Sequence, residues 1–235
     1  MAETKIFVCC HGKSLLPIAY SKPPFVLIGG GGYRDERVRV CDDSGDSIWQ
    51  YNRYLNEATV LYWVANNYRP LPDFVGFAMY RHRLELSCGE PGTVICCAHR
   101  LGCSVRKQFC ACHGGGLDEL LVELKRAMPD CYDDFATYLD TATVLYRGNM
   151  FIMPKADFME YADFLNGCVR VLIPLIGSLG VNRADDPRKC GYMFERLTGF
   201  WIWRHVRDGR AKLKGVRMLH LNLPRVPLSR EQEVS

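Results

Sequence analysis

Residues 73–83 have the sequence DFVGFAMYRHR, and this stretch decides the fold. Pro70 and Pro72 stand just before it and stop any helix there, because proline lacks an amide hydrogen and clashes with the preceding turn. The apolar run that follows is typical of a buried strand. Arg81 and Arg83 come directly after this strand. Their planar guanidinium groups match the oxygens of a diphosphate and stay charged at physiological pH, although surface ion pairs at a solvated strand end explain them equally well.

Similar strand and helix patterns alternate along the rest of the chain. No repeat and no low-complexity linker divides them, so we predict one α/β domain over residues 1–235. Ligands of open α/β sheets bind beyond the carboxyl ends of the strands, which here are the loops after Cys10, Tyr80 and Met153. The predicted strands are residues 5–10, 25–28, 73–80, 145–153 and 216–221, and the predicted helices are 54–67, 117–124, 132–140, 155–176 and 192–205.

The composition is that of an ordinary globular protein. The 235 residues are 48% hydrophobic and 24% charged, which is enough for one sizeable core. No apolar run reaches the length of a membrane span, and the first residues lack the apolar stretch of a signal peptide, so we expect a cytoplasmic protein. The net charge of +4 is too weak to indicate nucleic-acid binding. The twelve cysteines are expected to be reduced, since disulfides belong mainly to exported proteins.

Two segments have an unusual composition. Residues 84–116 are rich in cysteine and glycine and are predicted to be an irregular insertion. Seven cysteine and histidine residues between 96 and 113 include potential zinc ligands, but their spacing matches no paired Cys-x2-Cys arrangement, so structural cysteines are the favoured interpretation. Residues 204–217 carry six basic side chains against the single acid Asp208. The predicted basic tail over 204–235 either contacts the inner face of a membrane or is simply solvated.

Acidic side chains give further candidates for chemistry. Asp42, Asp43 and Asp46 form the densest cluster, which suits a divalent cation or sugar hydroxyls. Their spacing is not that of an EF-hand loop, and a turn held by aspartate side chains is the favoured interpretation. Glu57 and Glu195 lie in aromatic-rich stretches. Burial would raise the pKa of either carboxyl towards a value useful for a general base, whereas an ion pair of Glu195 with a neighbouring arginine would be structural.

Six motifs, in order along the chain, resemble one family. They are CHGK (10–13), DDSGDSI (42–48), NEATVLYWVANN (56–67), DFVGFAMYRHR (73–83), GNMFIM (148–153) and RKCGYMFERL (188–197). The family is a domain-of-unknown-function group of glycosyltransferase-like proteins of capsular and exopolysaccharide synthesis in bacteria, related to the GT-A fold. The likeness covers about residues 5–205. It implies an α/β fold with a Rossmann-like, GT-A-like three-layer sandwich and a mixed, mainly parallel sheet.

The resemblance also implies an activity. It is that of a hexosyltransferase-type enzyme, which moves a sugar from a nucleotide diphosphate sugar to a hydroxyl of a glycan or lipid-linked glycan acceptor in the synthesis of capsule, exopolysaccharide or lipopolysaccharide. Many GT-A enzymes carry a metal-binding acidic motif where this chain has arginines. Arg81 and Arg83 are therefore predicted to balance the charge of the leaving diphosphate, and a divalent metal is the less favoured alternative. The family motif has histidine where this chain has Met79 and arginine where it has His82.

Carried over residue by residue, the resemblance places nine side chains in the site. Asp46 or Glu195 would deprotonate the acceptor hydroxyl, and Asn149 would face the acceptor together with Glu195. The predicted contacts to the nucleotide sugar are His11 and Lys13 near the base or ribose, Asp43, Asp46 and Asn52 at the sugar, and Arg81 and Arg83 at the diphosphate.

Two other functions stay open at this point. One is a non-catalytic module that binds nucleotide sugars or glycans and keeps a degenerate transferase site. The other is a zinc-dependent interaction protein centred on residues 96–113. Donor hydrolysis distinguishes the first from an enzyme, and metal analysis of the purified protein tests the second.

Overall fold

One nine-stranded mixed sheet forms the centre of the protein. The computed structural model describes residues 2–11, 20, 22–179 and 187–221. Within these ranges the strands run in the order β3-β2-β1-β4-β7-β6-β8 across the sheet, while β5 pairs with β4 and with β9. The strands are β1 (Thr4–Cys10), β2 (Phe25–Gly29), β3 (Val40–Cys41), β4 (Phe74–Met79), β5 (His82–Leu84), β6 (Thr93–Arg100), β7 (Val144–Pro154), β8 (Lys212–Gly215) and β9 (Met218–His220).

The main path of the sheet is largely parallel. β1 pairs in parallel with both β2 and β4, and β2 with β3. β7 is antiparallel to β4 and to β6, and β6 is parallel to β8. In the described path, therefore, six of the seven strands point the same way and β7 is reversed. The mixed, mainly parallel α/β sheet expected from the resemblance is confirmed.

Alternating side chains give the sheet two buried faces. In β1, Phe7 and Cys9 belong to the larger core, whereas Ile6 and Val8 belong to the smaller one. This follows from the period of two along a strand. The helices pack into the larger core, and the described residues that cover the other face come from Tyr20, Val38, β5 and the segment around β9. The helices are α1 (Asn52–Leu55), α2 (Ala58–Asn67), α3 (Val105–His113), α4 (Leu117–Ala127), α5 (Pro129–Thr141), α6 (Lys155–Ser178) and α7 (Lys189–Arg207).

The helix predicted over 54–67 is broken at Asn56. This residue has φ 52°, in the left-handed region that asparagine tolerates better than most residues. Its carbonyl accepts a hydrogen bond of 2.8 Å from Asn52 Nδ2, which fixes the break. As a consequence Glu57 stands at the start of α2 rather than in the middle of a long helix.

The prediction of an irregular insertion at 84–116 is wrong. β6 lies inside the sheet between β7 and β8, and Cys96 is fully buried in the larger core. Cysteine behaves here as a small apolar residue, so the run TVICCA at 93–98 is a buried strand. Ser104 then begins α3 by accepting a hydrogen bond from the Lys107 amide at 3.3 Å, as expected of an N-cap serine.

The basic stretch 204–217 is not a free tail. It includes the end of α7 and β8, and leads into β9. Five of its six basic side chains have acidic partners, which compensate their charge locally. Much of the positive charge of this stretch is therefore balanced by neighbouring carboxylates. Residues 222–235 lie outside the described ranges. The pairs are Arg204 and Arg207 with Asp134, Arg210 with Glu160, Lys214 with Glu90, and Arg217 with Glu85.

No helix within the described ranges is both long and apolar enough to span a bilayer.

Candidate functional site

A pocket of about 560 Å³ opens where β1 and β4 end. The loops after Cys10 and Tyr80 contribute to it, as predicted from the rule that ligands bind beyond the carboxyl ends of parallel strands. The loop after Met153 does not, because β7 is antiparallel to β4 and its carboxyl end lies at the opposite edge. Among the described residues, three guanidinium groups and two carboxyls line the pocket. They belong to Arg53, Arg81 and Arg188 and to Glu57 and Glu195.

Glu57 is a half-buried carboxyl on the wall of this pocket. Burial raises its pKa to about 7, and the negative charge of Glu195 adds to the rise. A hydrogen bond of 2.9 Å from Asn149 Nδ2 and the positive charge of Arg188 act in the opposite direction. A carboxyl with a pKa near neutrality exchanges protons readily at physiological pH, which is the property of a general base. The sequence indicated Glu57 as a candidate but did not favour it over Glu195 or Asp46.

Asn149 reaches Glu57 because β7 contains a bulge. Tyr146 of β7 is opposite Ala98 of β6 and Phe151 is opposite Cys96, so β7 advances by five residues where β6 advances by two. Asn149 lies in this bulge with φ 49° and is 2% exposed. Bulges turn a side chain out of its regular direction and are common next to active sites. Asn149 therefore contacts the carboxyl at the pocket rather than lining the cavity itself.

Glu195 also lines the pocket, but in an ion pair. Its Oε2 accepts a hydrogen bond of 2.5 Å from Arg196, whose side chain is almost fully buried below the pocket. The second terminal nitrogen of Arg196 donates to Gln108 Oε1 at 2.8 Å. The structural alternative considered for Glu195 is thus present, and Glu57 is the better placed candidate for a base.

The two predicted diphosphate arginines separate. Arg81 lines the pocket and its guanidinium lies over the Tyr80 ring, 5.1 Å from the centroid. Arg83 does not line it: β5 turns back antiparallel to β4 and pairs Arg83 with Leu219 of β9. The fold therefore does not bring Arg83 to the pocket, and the prediction that it shares the site with Arg81 is wrong. Arg188, at the start of α7, supplies the second guanidinium instead.

His11 and Asn52 are fixed against the glycine run after β2. A Cβ at Gly30 would lie 2.8 Å from His11 Cε1 and 3.0 Å from Asn52 Nδ2, so any larger residue here would force one of these side chains to shift. Burial lowers the pKa of His11, and the charges of Arg188 and Arg81 lower it further, while Asp42 opposes them. The imidazole is therefore neutral at pH 7. Both residues line the pocket, whereas Lys13 lies outside the described residues.

The aspartate cluster forms a turn outside the pocket. Buried Asp42 accepts hydrogen bonds from the Gly31 and Gly32 amides, at 3.2 and 3.1 Å. Asp43 pairs with an arginine, Arg34, and the hydrogen bonds from this guanidinium and from Cys41 lower the pKa of Asp43 to about 2. Asp46 is exposed and accepts a hydrogen bond of 2.9 Å from the Tyr62 hydroxyl. Neither Asp43 nor Asp46 lines the pocket, so the structure does not bring them to Glu57 and Arg81.

The cysteine-rich segment does not assemble a metal site. Within the ranges that the structure describes, no three histidine, cysteine or acidic side chains are grouped to hold a metal ion. Cys96 is buried in the larger core, and Cys97 packs against the smaller one. Cys110 and Cys112 are exposed on α3, and the His113 ring stacks on Tyr192 with a centroid distance of 3.9 Å. These positions give no support to the zinc alternative.

Sequence comparison now assigns a family. Residues 5–90 and 92–206 match the family described as Domain of unknown function (DUF4422). The chain belongs to the DUF4422 family. The match contains every described residue of the pocket, and it confirms the resemblance seen in the six motifs. No curated protein is similar enough in sequence to match this DUF4422 chain.

A solved structure shares the fold. This DUF4422 protein is similar to a structure titled "WbbM bifunctional glycosytransferase apo structure", with a TM-score of 0.76 and 20% sequence identity. The likeness covers 94% of this chain and 46% of the other, so the present chain spans about half the length of that protein. At this level of identity the likeness shows the fold, which is the GT-A-like α/β architecture.

Proposed function

We propose that the protein is a glycosyltransferase that moves a sugar from a nucleotide diphosphate sugar to an acceptor hydroxyl. One observation carries the proposal: a single pocket combines guanidinium groups with a carboxyl of pKa about 7, at the carboxyl ends of parallel strands. The fold shared with a structure titled as a glycosyltransferase supports it.

The donor diphosphate would contact Arg81 and Arg188, with Arg53 available on the same rim. Breaking the sugar–phosphate bond leaves negative charge on the diphosphate oxygens, and fixed guanidinium groups in a partly closed pocket stabilise that charge. Because arginine supplies this charge, the reaction needs no divalent metal. Neutral His11 would hydrogen-bond the nucleotide half of the donor, and Asn52 also lines the pocket.

Glu57 would act as the general base. Its carboxylate takes the proton of the acceptor hydroxyl as the oxygen forms its bond to the sugar, and the bonding electrons of the donor leave with the diphosphate. Asn149 holds the carboxylate through the 2.9 Å hydrogen bond. Glu195, which lines the pocket and is held by Arg196, would accept a hydrogen bond from the acceptor sugar.

The resemblance to polysaccharide-synthesis proteins supports a glycan or lipid-linked glycan as acceptor, in bacterial capsule, exopolysaccharide or lipopolysaccharide synthesis at the cytoplasmic side of the membrane.

The test is donor turnover by the purified protein. A panel of nucleoside diphosphate sugars is incubated with glycan acceptors, with Mg²⁺ or with a chelator, and nucleotide release is measured. We expect release with at least one donor, unaffected by the chelator, and loss of at least tenfold in Arg81→Met and Arg188→Met but not in Arg126→Met. Arg126 is a matched control because it is exposed on α4 and pairs only with Glu123 in the described structure. Binding of donor without release under all conditions would indicate the non-catalytic module instead.

A further inference from the structure

Helix α3 contacts the pocket wall from behind without lining the pocket. Two of its side chains each contact a residue of α7. Gln108 accepts a hydrogen bond from Arg196, and the His113 ring stacks on Tyr192. Tyr192 lines the pocket directly. The segment that sequence patterns could not place therefore supports one side of the site.

The contact of Gln108 continues to a pocket carboxyl. Gln108 Oε1 accepts a hydrogen bond of 2.8 Å from one terminal nitrogen of Arg196. The other terminal nitrogen of Arg196 donates a hydrogen bond of 2.5 Å to Glu195 Oε2. Arg196 is 1% exposed, and its guanidinium carbon also lies 5.4 Å from the centroid of the Phe109 ring on α3. A buried guanidinium in three contacts has little freedom to rotate, so its orientation is set by α3 as much as by Glu195.

We propose that Gln108 is a positioning residue, which holds Arg196 in the orientation that fixes Glu195 on the pocket wall. This inference rests on the proposed function for its role in acceptor binding, because Glu195 is the carboxyl assigned to the acceptor sugar. The physical relay from Gln108 through Arg196 to Glu195 does not itself require any turnover.

The variants Gln108→Leu and Gln108→Glu separate positioning from packing. Leucine has a similar size but accepts no hydrogen bond from Arg196, whereas glutamate keeps an oxygen in place. We expect Gln108→Leu to lower kcat/KM for the acceptor roughly tenfold, the equivalent of one hydrogen bond to a charged group. The affinity for the nucleoside diphosphate should stay unchanged, because Arg81 and Arg188 are not touched. Gln108→Glu should retain acceptor kinetics close to wild type, and Lys107→Leu, on the exposed side of the same helix, is the control.

A double-mutant cycle of Gln108→Leu with Glu195→Gln tests the relay directly. If Gln108 acts through Glu195, its effect on acceptor kinetics disappears once Glu195 is replaced. The same cycle is measured on urea unfolding, where the two changes should be non-additive because both act on Arg196. A wild-type protein without turnover would refute the proposed function while the unfolding cycle still reports on the relay. Additive effects in both measurements would overturn the role of Gln108, as would equal loss of acceptor and nucleotide affinity.

Discussion

Glu57 should make the protein less stable as the pH rises. Burial raises the pKa of this carboxyl from 4.5 to about 7, so the folded protein binds the proton more tightly than the unfolded chain does. The favourable contribution is complete below pH 4.5 and is lost as the pH rises through about 7. The rise in pKa corresponds to a contribution of about 3 kcal/mol to the free energy of unfolding. About 2.5 kcal/mol of this contribution is lost between pH 5 and pH 8.

Glu57→Gln removes this titration while an amide oxygen still accepts the hydrogen bond from Asn149. We therefore expect the variant to gain about 2.5 kcal/mol over wild type on going from pH 5 to pH 8, measured by urea unfolding at both pH values. Comparing the two proteins cancels the opposite contribution of His11, whose lowered pKa costs stability as the pH falls. Glu119→Gln, an exposed change on α4, should follow wild type.

The same substitution should slow the proposed reaction strongly. Loss of a general base typically costs 10²- to 10⁴-fold, so kcat should fall by about that factor while the protein becomes more stable at pH 8. In wild type, kcat/KM should rise with pH to a plateau with an apparent pKa near 7. If wild type and Glu57→Gln lost the same free energy of unfolding between pH 5 and pH 8, the perturbed carboxyl would not exist and the assignment of the base would fail.

Three further predictions concern the support of the pocket. Replacing Arg196 by methionine removes a buried charge together with its ion pair to Glu195, so the free energy of unfolding should fall by about 3–5 kcal/mol, against less than about 0.5 kcal/mol for exposed Arg126→Met. Equal losses would contradict the buried pair. Gly30→Ala should cost about 1–3 kcal/mol by thermal or urea unfolding, because its Cβ would meet His11 and Asn52, whereas Gly102→Ala meets nothing within 4 Å and should be close to neutral. Asn149→Ala should raise the apparent pKa of the pH profile of kcat/KM above that of wild type, because the hydrogen bond that lowers the pKa of Glu57 is lost. An unchanged pH profile would show that this hydrogen bond does not act on the base.

Local apolar patterns were sufficient for much of the fold. β1, β4, β7, α6 and α7 form where runs of apolar residues or helical spacing predicted them, with bounds that differ by a few residues. These elements depend on burial within a short window of sequence. β6 is hard to predict because Cys96 and Cys97 stand in a run of potential metal ligands, whereas in the fold they pack as small apolar side chains. The break at Asn56 depends on one backbone conformation that the spacing of apolar residues does not report.

The site was harder to predict because it depends on strand direction. Arg83 follows Arg81 by two residues, yet the reversal of the chain into β5 removes it from the pocket. Met153 lies near the end of a strand whose direction is opposite to that of β4, so the loop after it lies at the edge of the sheet opposite the pocket. Arg188 and Arg53 come from distant parts of the chain and only the fold brings them to Arg81. The motif at 188–197 was the one signal in the sequence that contained Arg188.

The most direct test of the central claim is calorimetric titration of nucleoside diphosphates and their sugars into the protein, with a chelator present throughout. The titration is made with wild type and with four variants, Arg81→Met, Arg188→Met, Arg83→Met and Arg126→Met. Pocket arginines that grip the diphosphate predict metal-free binding to wild type, at least tenfold weaker binding to the Arg81 and Arg188 variants, and little change for the Arg126 variant. Arg83→Met should also bind with nearly wild-type affinity. Binding that required a divalent metal, or that was weakened by Arg83→Met and not by the two pocket variants, would contradict the account.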